Sequence, residues 1–517
     1  MNAERSPWYT LSLLILCHLF NDIDRNILSI VAEDIKSDLG LSDARIGFLY
    51  GTTFSVFYVV FGIPFGRLAD GWVRKNVIAI GLFGWSLMTA LSGTARSFAA
   101  LATYRVGVGI GESSLSPAAH SMLFDVFPKR LRATALSLYH GGGFLGAGVS
   151  FLVGGVIVDR WNRIYPDAAM APLHLHAWQV ALFAVGLPGL ALAFWMWTIE
   201  EPRREGAGVD GIPASRPQPL RELMAIVPPF TLIALARAGA GARGLLLNLA
   251  GAAVLALAAL SASTAFGEAA QWTALAAGLY AAGSWAQDLR LRDRSTFDSI
   301  LGNAPFRTTA LGFGTMSFVS SGLAFWTAPL LLRSFESTST RVGALIGVGA
   351  IVGGWTGATG GGVLSDRLKT RRPSGRIEVG LLSAATSVPL YYLLVRARSL
   401  GGAFVFFLLL VASVSLWIGA GATSINELVP ARMRSTASAI YLLMTAFVGF
   451  ALGPFVIGRL SDVLAQSGQA PARALGNAMF LSTSVLLVAV VLLLRARRLV
   501  GPAEERLRTA TLTEAST

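Results

Sequence analysis

The chain is written in long apolar runs separated by short polar ones. About 20 mostly apolar residues make a helix long enough to cross a bilayer. Runs of that kind begin near Trp8, Arg45, Asn76, Phe98, Arg132 and Ala177, giving six in the first 200 residues. A polar stretch rich in Pro and Gly, from Glu200 to Glu222, reads as a linker on the cytoplasmic side. Two further apolar runs follow, Gly244 to Ser263 and Glu268 to Ala286. Six more begin near Pro305, Thr340, Val379, Gly401, Ser435 and Asn477. The pattern predicts an all-α polytopic membrane protein of about 14 spanning helices. Its expected divisions are a six-helix bundle over 1-200, a linker with two additional helices over 201-304, a second six-helix bundle over 305-495 and a tail over 496-517. The short piece from Leu223 to Ala236, interrupted by Pro228 and Pro229, is expected to lie at the interface or against the bundle.

Composition agrees with the pattern. With 54% hydrophobic and 14% charged residues and a mean hydropathy of +0.60, the chain carries more apolar surface than a soluble core can bury. The net charge of +13 does not point to nucleic acid, because the basic residues sit in short loops such as Arg74 with Lys75 and Lys369 with Arg371 and Arg372. Basic loops of that kind mark the cytoplasmic face. Both termini are placed there, which fits a bacterial inner membrane. Cys17 is the only cysteine, so no intrachain disulfide and no cysteine metal site can form. The first run passes Asp22, Asp24 and Arg25 with no cleavage signal, and is read as a retained helix.

Internal repeats organise the rest. The stretch Asp125-Val-Phe-Pro128-Lys-Arg130-Leu-Arg132-Ala-Thr134 returns 302 positions later as Glu427-Leu-Val-Pro430-Ala-Arg432-Met-Arg434-Ser-Thr436. A second pattern, Gly, any residue, Leu or Ile, any residue, Asp, closes four runs: Gly66 to Asp70, Gly155 to Asp159, Gly362 to Asp366 and Gly458 to Asp462. The copies end alternately on the two faces, as inverted three-helix repeats nested in each half require.

These residues resemble a known family. Gly66-Arg-Leu-Ala-Asp70 with Arg74 and Lys75 resembles the loop motif between the second and third helices of the major facilitator superfamily. Arg105 with Gly109 is similar to its fourth-helix motif. Asp24-Arg25, Gly81 to Ser86, Gly109-Ile-Gly-Glu112-Ser-Ser-Leu-Ser-Pro117 and Gly322-Leu-Ala-Phe325-Trp326 resemble the spinster branch more narrowly. The resemblance covers both halves but not the inserted pair of helices. It implies a transporter whose first helix supplies an acid and an arginine and whose fourth helix supplies an arginine and a glutamate. Spinster-like proteins of animals move lysophospholipids and phosphorylated sphingoid bases, so the implied substrate is an amphipathic anion.

The residues allow the same chemistry on their own. Arg105 and Glu112, seven positions apart, share one helical face about 10 Å apart along the axis. Counting depths from the run boundaries puts Asp24 level with Arg105, with Glu112 deeper. A charge at bilayer depth costs about 3 kcal/mol on insertion scales, so four charges there require partners or a function. Desolvation favours a neutral acid and a nearby arginine favours the carboxylate, so access to the cavity can switch protonation. Asp24 and Glu112 are the expected proton carriers, and Arg25 and Arg105 their partners and the expected sites for an anionic headgroup. The competing reading is a static network pinning two helices. Phe407 and Val414 stand 302 positions beyond Arg105 and Glu112, so the opposite wall is expected to be apolar. Phe325, Trp326, Trp355 and Trp417, with Asn426, are its candidate lining, and His18 could face the same space. His120 and His140 read as helix contacts. Asp70, Arg74, Lys75, Asp366 and Arg367 read as a conformational latch, with Asp125 and Glu427 near Arg130 and Arg432 as companion networks.

No Gly-rich loop ending in Gly-Lys-Ser or Gly-Lys-Thr is present, which argues against ATP as the drive. No His, Cys and acid cluster has metal-ligand spacing, so no cofactor is expected beyond a proton gradient. The expected function is a proton-coupled secondary transporter acting as a monomer in a lipid bilayer. A symporter of small organic anions and a membrane-embedded lipid-modifying enzyme are the alternatives, the latter lacking a nucleophile with a base beside it.

Overall fold

The computed structural model describes residues 6–128, 131–202, 219–430 and 433–516. These residues are helical or irregular, with no strand among them. In chain order the helices are α1 Pro7–Ile30, α2 Ala32–Leu39, α3 Asp43–Tyr50, α4 Thr52–Gly71, α5 Arg74–Ser92, α6 Phe98–Glu112, α7 Leu115–Val126, α8 Arg132–Ile164 and α9 Ala177–Thr198. Then come α10 Pro219–Ile226, α11 Phe230–Arg237, α12 Ala242–Phe266, α13 Ala269–Arg292 and α14 Arg294–Ile300. The remainder are α15 Ala304–Ser334, α16 Ser339–Arg371, α17 Gly375–Val395, α18 Leu400–Ser415, α19 Trp417–Glu427, α20 Arg434–Thr445, α21 Gly453–Gln466, α22 Pro471–Ser482 and α23 Val485–Ser516. Among the described residues, ten helical stretches are long and apolar enough to cross a membrane.

Local signals set the boundaries. Ser97 and Ser399, in the same repeat register, each accept a hydrogen bond from a backbone N–H inside the helix they open, at 3.2 and 3.1 Å. Such a cap supplies about 1 kcal/mol over alanine. Prolines open α1, α15, α21 and α22, where their missing N–H costs nothing. The apolar run that begins at Phe98 is two helices, broken at Ser113 and Ser114. Their hydroxyls turn back onto the carbonyls of Ile110 and Gly111 at 2.6 and 2.8 Å, a competition with the helical ladder that bends the chain. The counterpart run breaks at Leu416, in the same register. Where α8 runs unbroken, its counterpart contains a π-helical stretch, Ala446–Ala451, flanked by hydroxyls. Ser317 and Ser321 donate to the carbonyls of Thr445 and Gly449 at 2.8 and 3.0 Å, satisfying groups that the wider turn frees.

The chain forms two compact units. One comprises 1–41, 53–230 and 336–347; the other comprises 42–52, 231–335 and 348–517. Each therefore includes one short segment from the sequence half of the other. In the first, Leu14, Trp85, Met122, Tyr139 and Leu192 belong to one fully buried or nearly buried core. In the second, Phe306, Phe313 and Tyr391 are fully buried, and the Tyr391 hydroxyl donates to the Val319 carbonyl at 2.8 Å. Helix α12 presents Leu246, Leu247, Val254, Leu257 and Leu260 outward, the surface expected of a lipid-facing helix. It is joined to α13 through Asn248, which bonds Ser284, Gln287 and Tyr280.

Candidate functional site

Helices α1 and α6 bring four charges into the interior of the first unit. Asp24, Arg105 and Glu112 are essentially inaccessible, and Arg25 is mostly covered. Close approach at α6 depends on its glycines. A Cβ on Gly109 would lie 2.5 Å from the Phe54 carbonyl on α4, and one on Gly111 would lie 2.7 Å from the Trp85 nitrogen on α5. Arg25 donates to Glu112 Oε2 at 2.9 Å, and its guanidinium stands 4.5 Å from the centre of the Phe54 ring and 5.2 Å from that of Tyr58. Arg105 stands 5.9 Å from the centre of the same Phe54 ring and donates to the main-chain carbonyl of Asp24 at 3.4 Å. An arginine over an aromatic face gains about 0.5–2 kcal/mol, which offsets part of its desolvation.

The four predicted residues thus converge. Both arginines were expected beside the acids; Arg25 makes the ion pair with Glu112, and Arg105 bonds the main-chain carbonyl of Asp24. Counting residues gives depth along a helix but not azimuth, which is why it did not assign the Arg25 bond to Glu112. Trp85 and Thr89 stand beside the Asp24 carboxyl. Among the described residues, Asp24 Oδ1 and Glu112 Oε1 accept no hydrogen bond, so each acid retains a position at which a proton can be added without breaking a bond already made.

His18 lies one turn before Asp22, its Nε2 at 3.6 Å from Oδ2, and stacks on Tyr139 at 4.5 Å. The proposed apolar wall is placed less openly than expected. Phe325 and Trp326 are fully buried packing residues, Phe325 stacked on Tyr50 at 4.3 Å and Trp326 donating to the Pro454 carbonyl at 2.8 Å. Trp417 is largely covered and stacks on Phe313 at 5.9 Å. Trp355 is 46% exposed. Asn426 is engaged with the Ala422 carbonyl and with Ser438. A hydrophobic residue in a membrane helix has the same sequence signature whether it faces core, cavity or lipid, so only the structure separates these four aromatics.

At the helix ends, Arg74 is fully buried and forms a centre of bonding. It donates to Asp125, to Glu201 at 2.7 Å, to Ser121 at 3.0 Å and to the Pro202 carbonyl at 2.9 Å. Lys75 donates from its side chain to the carbonyls of Trp197 and Ile199 at 3.1 and 2.5 Å, and from its backbone to Glu201 at 2.9 Å. The side chain of Asp70 lies outside the described residues, as do Arg130, Arg432 and most of the linker. In the other unit Arg376, 302 positions beyond Arg74, grips Glu427 with two nitrogens at 3.1 and 2.8 Å and Asp366 with a third at 2.9 Å. Lys369 adds Glu427 and Glu504. Arg367 is exposed. Arg376 was missed in sequence although the repeat register points directly at it.

The other two copies of the Gly-to-Asp pattern have partners that sequence alone did not supply. Asp159 accepts from the backbone N–H groups of Ser339 and Thr340 at 3.0 and 2.7 Å, within the first unit. Asp462 accepts from Asp43 and Ala44, both at 2.9 Å, within the second. Each carboxylate therefore caps the start of a helix from a distant part of the sequence, where free N–H groups and the helix dipole favour an anion. The glycines opening both patterns are required by the same contact. A Cβ on Gly155 would overlap the Ser339 carbonyl and one on Gly458 the Asp43 carbonyl. Asp43 is in turn held by both terminal nitrogens of Arg333 at 2.8 and 2.7 Å and by Ser461 at 2.7 Å.

The chain is 26% identical over 485 residues to an MFS-type efflux pump of Mycolicibacterium smegmatis, covering 94% of this chain and 91% of that protein. It is 23% identical over 475 residues to Protein spinster of Drosophila melanogaster, covering 90% of this chain and 63% of the fly protein. A solved bacterial homolog of the human lysosomal transporter Spinster, in an inward-facing and unoccupied conformation, superposes with a TM-score of 0.72 at 23% identity, over 97% of this chain and 99% of that one. The model of the Major Facilitator Superfamily matches residues 14–454. A multi-pass helical membrane protein with these relatives is a transporter rather than an enzyme, of a kind that needs no cofactor. The chain belongs to the major facilitator superfamily and resembles its spinster members.

Proposed function

We propose that this protein is a proton-coupled secondary active transporter that works by alternating access and carries an amphipathic, anionic, lipid-like substrate of the lysophospholipid or sphingoid-phosphate type. The observation that carries the reading is the Arg25–Glu112 pair, buried at 2.9 Å beside Asp24 and Arg105. With Glu112 ionised, Arg25 is engaged. A proton on Glu112 removes the charge that holds Arg25, leaving a guanidinium resting on Phe54 and Tyr58 to receive a phosphate or carboxylate, for which its planar donors are suited. The substrate anion and the ionised Glu112 carboxylate then compete for the same arginine, so protonation of Glu112 and substrate binding favour each other. Arg105, bonded to the Asp24 main-chain carbonyl at 3.4 Å, places a second arginine beside a second buried acid. The end clusters of Arg74 with Lys75 and of Arg376 with Asp366 and Glu427 act as latches that break and re-form during the cycle.

We further propose fourteen spanning helices. The ten long apolar stretches are joined by α1, α5, the broken pair α6 and α7, and α13, which charges, breaks or polar and small residues make less apolar. Residues 1-200 and 305-495 then form the two six-helix bundles, with 201-304 an insertion and 496-517 a tail. Both termini are cytoplasmic, the membrane is a bacterial inner membrane, and the working unit is a monomer.

Reconstitution into liposomes with an imposed pH gradient tests the reading, with lysophosphatidylcholine and lysophosphatidic acid in one arm and small dicarboxylates or sugar acids in the other. Uphill flux of the lysolipids that Glu112→Gln reduces by about 100-fold or more supports it. Flux of the small anions alone moves the substrate class to the symporter alternative. Absence of pH-driven flux in both arms removes proton coupling.

A further inference from the structure

Three of the five histidines of this chain meet in one place. His18 on α1, His120 on α7 and His140 on α8 surround the buried Tyr139. His120 and His140 are edge to face with centroids 5.0 Å apart, and His18 and His140 are 5.9 Å apart. Tyr139 lies 4.5 Å from His18, 5.5 Å from His120 and 5.2 Å from His140. Among the described residues, no protein group hydrogen-bonds His18 Nδ1 or His120 Nε2, although both atoms are buried. An orphaned buried polar atom costs about 1–3 kcal/mol, so three imidazoles are a poor choice if the position serves packing alone. His140 is exposed at the edge of the unit, whereas His18 is mostly covered and faces Asp22. The backbone of α8 presses on this junction: a Cβ on Gly143 would stand 2.9 Å from Asp22 Oδ2 and 3.0 Å from His18 Nε2.

We propose that His140, His120 and His18 form a proton relay that leads from the exposed edge of this unit, through Asp22, to the Arg25–Glu112 pair. The proposal rests on the proton-coupled reading above and names the path by which the proton arrives. A proton taken from solvent by one ring nitrogen of His140 leaves from the other, so each step makes one N–H bond and breaks one, and the imidazole ends in its other tautomer. Centroid separations of 5–6 Å allow transfer between rings directly or through one water. His18 hands the proton to the Asp22 carboxylate 3.6 Å away, and from there it reaches the open Oε1 of Glu112. Arg25 feels both acids, so a proton on either one loosens its hold. The charged and titratable groups facing the relay are Cys17, Asp22, Asp24 and Arg25 from α1, Tyr58 from α4, Arg105 and Glu112 from α6 and Tyr139 from its own cluster.

Liposomes containing a pH-sensitive dye and the full-length protein decide the matter. Proton uptake after an imposed pH step is recorded alongside substrate counterflow, which needs no net proton movement. His140→Ala and His18→Gln are expected to slow proton uptake about tenfold or more, His140→Ala is expected to leave counterflow within about twofold, and added imidazole should restore its rate of proton uptake. Folded variants with wild-type proton uptake overturn the relay and leave the coupling reading standing. A wild-type protein with substrate flux but no coupled proton uptake overturns both. Should His18→Gln fail to fold, His140→Ala with and without imidazole carries the test, since its side chain is exposed.

Discussion

Helices α6 and α18 are the same element of the repeat with opposite interiors. One holds Arg105 and Glu112; at the equivalent positions the other holds Phe407 and Val414, both buried. Both open on a serine cap, both break after nearly equal stretches of 15 and 16 residues, and both are followed by a second short helix. Since the uncharged version folds to the same local shape, the charges are not a requirement of the architecture. They cost desolvation energy on one side only, and that cost marks the side where chemistry is expected.

The most damaging test of this contrast is Arg25→Ala. It leaves Glu112 fully buried without its ion-pair partner, a loss of about 3–5 kcal/mol for breaking a buried pair. Thermal unfolding in detergent reads it out. Adding Glu112→Leu to Arg25→Ala should recover most of the stability and none of the coupled transport. At the uncharged counterpart, Phe407→Leu should cost about 1.5 kcal/mol or less. If Arg25→Ala and Phe407→Leu are equally mild, the charged interior is not distinct from the apolar one.

Much of this contrast is legible in the sequence because it is written as length and register. Apolar run lengths place the helices, and the 302-residue offset aligns the two sets despite an intervening pair. The same offset would have given Arg376 from Arg74. The azimuthal facts are not written in this way. Depth counting placed Asp24 beside Arg105, which bonds its main-chain carbonyl, but it did not give the Arg25 bond to Glu112, because rotation of each helix about its axis is decided by packing of Phe54 and the glycines of α6. The caps of Asp159 and Asp462 were invisible for another reason: their partners are backbone N–H groups, which carry no side-chain signature. The histidines were read one at a time, and nothing in their spacing brings residues 18, 120 and 140 together.

The caps give the second test, of moderate size. Removing a capping acid costs about 0.5–2 kcal/mol. Asp159→Ala exposes two N–H groups of one helix start, and Asp462→Ala does the same for the other, so the two losses should be similar if the repeats are equivalent. Asp462→Ala carries an added effect. Asp43 remains bound to Arg333, with one fewer acid beside it, which limits the loss. A loss at Asp462 well above that at Asp159 would show that the second unit leans on its cap more heavily. A smaller effect is expected at the arginine latches. Arg376→Lys keeps the charge but gives up the two-nitrogen grip on Glu427, a change of about 1 kcal/mol, whereas Arg74→Lys surrenders four partners from a fully buried position and should cost more. Unfolding midpoints of the two variants, measured side by side, test that order.

The gentlest test asks whether a costly acid is functional merely because it is costly. Asp34, on α2 outside the spanning helices, has its carboxyl pushed up to about 6, mainly by burial, with Glu33 adding to the effect and Asn162 opposing it. Its unfolded value is near 3.8. Below that value the acid is neutral in both states and has no effect on stability. As pH rises from there toward 6 the unfolded chain releases the proton first, so ionisation favours unfolding, and above 6 the full penalty remains. Because Asp34 is partly exposed, water screens the effect, and about 1 kcal/mol is a reasonable scale. Asp34→Asn should therefore raise the unfolding midpoint at pH 7 and leave it unchanged near pH 3.5, with pH-driven transport intact throughout. Glu112→Gln should show the reverse balance, a large loss of coupling for a small change in stability. If Asp34→Asn also abolished coupled transport, burial of an acid in the first unit would no longer single out the α1 and α6 charges, and the contrast with α18 would lose its functional meaning.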